Sequence, residues 1–150
     1  MSYKNGIIFI VMEDFMKLTR TEAREKIMVI LYQIDFYIKN KISYDLESVF
    51  KENLEIDNSF VRNIVNGVLE NIESIDKLIS KYLENWDFDR LGKTDRAILR
   101  LGVYEILYYD TPNIVAINEA IELSKKYSDE KVVKIINAVL DKILDEETNE

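Results

Sequence analysis

Lys17, Arg20 and Arg24 are the residues near the start of the chain whose charge and spacing suggest chemistry. Arg20 and Arg24 are four apart, so on a helix they share a face, and Lys17 extends that face by about one turn. Such a row can pair with successive phosphates of a nucleic acid, each neutralised phosphate steepening the salt dependence of binding. The competing reading is a solvated helix face with Glu22 and Glu25 as local partners. A second cluster, Lys125, Lys126, Tyr127, Lys131 and Lys134, combines cations with one aromatic ring. Single-stranded RNA is held by cations along its backbone and by aromatic faces on which unpaired bases stack. Tyr127 is therefore the stacking candidate, against the alternative of a helix-end ring packed on Val132.

Composition removes most other chemistry. The 150 residues contain neither cysteine nor histidine, so there is no disulfide, no thiolate metal site, no cysteine nucleophile and no Ser-His-Asp arrangement. Four glycines, at 6, 67, 92 and 102, form neither type of phosphate-cradling loop. The chain reads as a non-enzyme without cofactor or metal. Asn118, Glu119 and Asn137 interrupt apolar stripes, but two amides and one carboxylate make a poor metal shell. Capping or hydrogen bonding between helices is the expected role, with Glu119 paired to Arg100. The net charge of −8 is unevenly spread, residues 17–44 carrying +3 and residues 45–89 carrying −7. Local field rather than net charge decides where a polyanion lands.

The elements that carry these residues are helices. From Arg90 to Ile143 three amphipathic segments follow one another, broken at Asp110–Asn113, where the only proline is Pro112, and at Ser128–Asp129. Val132, Ile136, Val139, Leu140 and Ile143 form one stripe of helical period. Upstream, Thr19 and Glu22 fit a capping box, after which Ala23, Ile27, Ile30, Leu31 and Ile34 turn inward. A short helix is expected over Asp45 to Asn53. A longer one, capped at Asp57–Ser59, runs through Phe60, Ile64, Val68, Ile72 and Ile75 with a joint near Glu73–Ser74. Trp86 and Phe88 lie in a linker expected to plug the bundle end. The expectation is an all-α fold, about seven helices in two packed bundles, occupying residues 16–144. Residues 1–15 read as an over-called start, with translation beginning at Met16 or Met12, or as an extension of the bundle, disordered or packed. Their apolar run, Ile7 to Met12, is too short to span a bilayer. Residues 145–150 read as a frayed acidic tail.

Three motifs, in order and spacing, carry a family resemblance: DRAILRLGVYEIL (Asp95–Leu107), VAINEAIELSKKY (Val115–Tyr127) and NAVLDKI (Asn137–Ile143). Together with AREKIMVILYQ (Ala23–Gln33), they resemble the NusB family of bacterial transcription antitermination factors over roughly Lys17 to Ile143. The resemblance implies a cytoplasmic RNA-binding adaptor of the transcription elongation complex. It would pair with NusE, also a small-subunit ribosomal protein, to hold boxA, a short single-stranded RNA element of nascent ribosomal RNA. Arg20 and Arg24 match basic positions of the family's RNA-binding segment, whereas Thr21 and Glu22 stand where further arginines can occur. Ile135 stands where the family can have an aromatic. Tyr32 and Asp95 match positions on the surface that docks NusE; an amphipathic ring and an acid suit a basic ribosomal partner. Asp95 also suits the first turn of its own helix. The rival readings are a helical protein-interaction or homodimer module without direct RNA binding, and an RNA-modifying enzyme, because a NusB-like domain also occurs at the N-terminus of some ribosomal RNA cytosine methyltransferases. The second would need a catalytic domain with cysteine chemistry.

Overall fold

Side-chain caps at the N-cap residue open four of the helices of this protein, whose computed structural model describes residues 17–148. Thr19 and Glu22 form the expected capping box on α1 (Arg20–Lys39). Asp45 caps α2 (Leu46–Asn53) and Asn58 caps α3 (Ser59–Glu70), each accepting a backbone N–H of the first turn. Next come α4 (Ile72–Tyr82), a 3-10 turn at Phe88–Arg90 and α5 (Lys93–Tyr108). Pro112 precedes α6 (Asn113–Tyr127). Asp129 accepts from the Val132 N–H at 2.9 Å to open α7 (Glu130–Thr148). The described residues contain seven α-helices and no strand. None of these helices is long and apolar enough to cross a membrane.

α5 is the central element. It packs on α1 and α3 to one side and on α4, α6 and α7 to the other, so the two bundles share one apolar core. Ile98, Leu99, Leu101 and Val103 of α5 are all buried, as a helix apolar over much of its circumference requires.

The structure corrects three expectations. The joint after α3 falls at Asn71, ahead of Glu73–Ser74, because the Asn71 side chain donates to the Gly67 carbonyl at 2.8 Å and competes with the helical ladder. The acidic end is not frayed at Asp145: α7 continues through Thr148, and Glu147 accepts from the Tyr82 hydroxyl at 2.6 Å and from Lys81 at 3.3 Å. Arg100 does not pair with Glu119. It faces α4 and α1, bonding both Asp76 oxygens at 2.9 Å and lying 3.5 Å from Asp35. Glu119, on the α1 side of α6, accepts instead from the Thr21 hydroxyl at 3.2 Å. Asn118 and Asn137 are exposed. Trp86 and Phe88 do pack on the core as the linker reading expects. The apolar run Ile7–Met12 and the start at Met12 or Met16 lie outside the described residues.

Candidate nucleic-acid and partner interface

The capping box turns the nearest acid, Glu22, back onto the helix N-terminus. Glu22 accepts the Thr19 N–H at 3.1 Å, and the Thr19 hydrogen bonds hold its carboxyl below the usual range. Lys17 and Arg20 are exposed, and the Arg20 guanidinium lies 3.9 Å above the Phe60 ring of α3. Both line a groove of about 790 Å³ between the start of α1 and the α2–α3 connection. Its floor includes Leu54, Ile56 and Phe60; Lys26 adds a further cation, and Glu55 and Asp57 are also in its wall.

Arg24 lies over the same ring, 5.4 Å from its centre, but its role differs from the expected one. Only 4% of it is exposed. Its guanidinium forks onto both oxygens of buried Glu105 at 2.8 and 2.9 Å, and Glu105 also accepts from the Thr111 hydroxyl at 2.8 Å. The i, i+4 spacing does put Arg20 and Arg24 on one side of α1. However, the Arg24 side chain is drawn against α5 by its bonds to Glu105, while Arg20, one turn earlier, is exposed. A buried cation needs its counter-charge. Arg24 is therefore held as a buried ion pair, with Nε and Nη2 committed to Glu105.

The second cluster surrounds the α6–α7 junction. Tyr127 is 43% exposed, so its ring is not absorbed by Val132. The Lys126 ammonium lies 5.3 Å from that ring and 2.8 Å from Glu25, tying the end of α6 to α1. Lys131 sits 5.0 Å above Trp86, an aromatic partner that the sequence alone does not connect to it. Lys134 is exposed, while Ile135 is half-buried against the core.

Tyr32 is 44% exposed, and Val29 and Phe36, each 41% exposed, complete an apolar stripe along the outer face of α1. The Lys93 ammonium lies 5.5 Å from the Phe36 ring, which brings the start of α5 onto this face. Val29 and Phe36 were identifiable in sequence as apolar residues that fall off the buried stripe of α1. Asp95 is half-buried and doubly engaged. One oxygen accepts the Gly92 N–H at 3.0 Å and the other accepts from the Ser128 hydroxyl. The cap was foreseeable from position; the Ser128 bond, spanning 33 residues, was not.

The structure thus brings Lys17 and Arg20 together at one end of α1. It gathers Tyr127, Lys131 and Lys134 at the α6–α7 junction, where Asp95 bonds Ser128, and leaves Tyr32 on the exposed stripe of α1. Comparison with known proteins identifies the family that shares this sequence and fold. The sequence model of the NusB family matches residues 21–145. A transcription antitermination protein NusB of Exiguobacterium is 43% identical over 129 residues, covering 85% of this chain and 98% of the relative. The crystal form 2 structure of T. maritima NusB superposes with a TM-score of 0.76 at 38% identity, covering 87% of this chain and 93% of that one. A crystal structure of the antitermination factors NusB and NusE in complex with double-stranded RNA matches with a TM-score of 0.72 at 31% identity, covering 84% and 96%. With the family pattern spanning most of its length, and its helices superposing on solved members, the chain belongs to the NusB family.

Proposed function

We propose that this protein is a transcription antitermination factor acting as a non-catalytic, cytoplasmic RNA-binding adaptor. It pairs with a NusE-like small-subunit ribosomal protein, and the pair holds boxA-type single-stranded RNA in nascent ribosomal RNA transcripts. The observation that carries this reading is the adjacency of two surfaces. Lys126 on Glu25 and Ser128 on Asp95 seat the α6–α7 junction against α1 and α5, beside the Val29–Tyr32–Phe36 stripe. A partner on the stripe and an RNA at the junction then touch each other as well as this chain. Weak contacts from both proteins add up on one RNA, so the pair binds more tightly than either alone. Within this chain Lys17, Arg20, Lys131 and Lys134 supply cations and Tyr127 a stacking face; Tyr32 and Asp95 serve the partner. No cofactor enters.

The test is a gel shift with boxA-type and scrambled RNA, with and without the ribosomal protein. The expected result is a sequence-dependent shift that strengthens when the partner is added. Equal shifts with both RNAs, or no gain from the partner, would refute the reading. The exposed apolar stripe also suits a second copy when the partner is missing. Sedimentation should then show a free homodimer that the ribosomal protein dissociates.

A further inference from the structure

We propose that Asp95 acts on RNA binding through Ser128, as a positioning residue that couples the partner-docking face to the RNA-binding junction. This rests on the function proposed above and assigns the path by which its two halves communicate. Ser128 is the hinge of the junction. It ends α6 in an extended conformation (φ −118°, ψ 160°), and Asp129 beside it already caps α7. Tyr127 immediately precedes it and Lys131 follows three residues on, so the angle at Ser128 sets where the stacking ring stands relative to the cation. The Ser128 side chain bonds Asp95, in the first turn of α5. Two residues before Asp95, Lys93 rests over Phe36 of the exposed stripe.

A partner docked on the stripe and on Asp95, as proposed above, engages the carboxylate that holds Ser128. The sign of the effect follows from the acceptor capacity of a carboxylate. It has about four lone-pair positions; Gly92 and Ser128 occupy two of them. A basic partner side chain takes a remaining position without displacing Ser128. Excluding water from the half-buried carboxylate strengthens the bond that stays. Docking thus stiffens the junction in its RNA-binding form, and by linkage RNA tightens docking by the same factor.

The experiment measures the affinity of a boxA-type RNA oligonucleotide with and without the NusE-like protein, and takes the ratio as the coupling factor. Ser128→Ala should lower that ratio about fivefold, the low end of typical couplings. Ser128→Thr, which retains the hydroxyl, should restore it. Adding Ser128→Ala to Asp95→Ala should lower the ratio no further than Asp95→Ala alone, as for two members of one link. A ratio unchanged in Ser128→Ala, or additive loss in the double variant, would overturn the coupling. Arg20→Ala monitors the underlying reading, because it should weaken RNA binding equally with and without partner. RNA affinity indifferent to Arg20→Ala would refute that reading of the RNA surface, independently of the ratio.

Discussion

Replacing Arg20 and Arg24 separately should produce opposite phenotypes, although the two arginines are one helical turn apart. Arg24→Ala removes a guanidinium that is 4% exposed and makes two hydrogen bonds, of 2.8 and 2.9 Å, to Glu105. Glu105 is itself 1% exposed, and Thr111 would be its one remaining side-chain donor among the described residues. Orphaning one member of a buried pair costs about 3–5 kcal/mol. A domain stable by about 5–15 kcal/mol survives that loss, but with a large downward shift in its urea midpoint. Arg20 is exposed and rests on the Phe60 ring, so Arg20→Ala should leave the midpoint within about 1 kcal/mol of the parent. RNA binding should separate the two in the reverse sense. Losing one phosphate contact flattens the salt dependence by about 0.7 units of slope for a single strand. Arg20→Ala should show this, whereas folded Arg24→Ala should keep the parent slope. The assays are urea denaturation followed by helical circular dichroism, and RNA titrations across a salt series. An Arg24→Ala protein as stable as the parent, with a flattened slope, would refute the assignment and return Arg24 to the RNA surface.

Other outcomes follow from the same structure. Tyr32→Ala and Phe36→Ala, each removing an exposed ring from the α1 stripe, should weaken docking of the NusE-like partner by roughly 1–2 kcal/mol apiece while leaving stability unchanged, as read by calorimetric titration and thermal melting. Deleting residues 1–15 should leave stability nearly unaltered, because the α1 cap forms at Thr19 and the buried stripe begins at Ala23. A loss beyond about 2 kcal/mol would instead indicate that Ile7 to Met12 add to the core. Truncation after Leu144 removes Glu147 from Tyr82 and Lys81 and should lower the melting temperature; an unchanged melting curve would mean that this end of α7 contributes nothing.

Helix identity and inward faces were legible in the sequence because both are encoded locally. Ile27, Ile30, Leu31 and Ile34 are buried as their spacing demands, and the Thr19, Asp45, Asn58 and Asp129 caps act within three or four residues of themselves. Polar partners across helices were not legible. The sequence suggested Glu119 as the partner of Arg100 across two packed helices and suggested none for Arg96. Yet Arg96 bonds Asp35 at 2.8 and 3.1 Å, and Arg100 reaches Asp76 and Asp35. A cation four residues from the next looks the same on paper whether water or a neighbouring helix covers it, since burial depends on elements that periodicity does not orient.

The same ambiguity governs the candidate interface, and its resolution has a physical direction. In a protein carrying a net charge of −8, an arginine that lies near the core finds a carboxylate readily, and the pair is fixed by the cost of leaving either member alone. Arg24, Arg96 and Arg100 all went that way. Among the described residues, the exposed cations outside any ion pair include Lys17 and Arg20 at the tip of α1, and Lys131 and Lys134 on the first turns of α7, the four proposed above to meet RNA. Two of these four lean on aromatic rings, Arg20 on Phe60 and Lys131 on Trp86. A ring restrains a cation without neutralising it, so the charge stays available to a phosphate while part of its conformational freedom is already spent. On the proposed reading, an acidic protein keeps a small surface for RNA in part by seating two of its cations, Arg20 and Lys131, on aromatics rather than on acids.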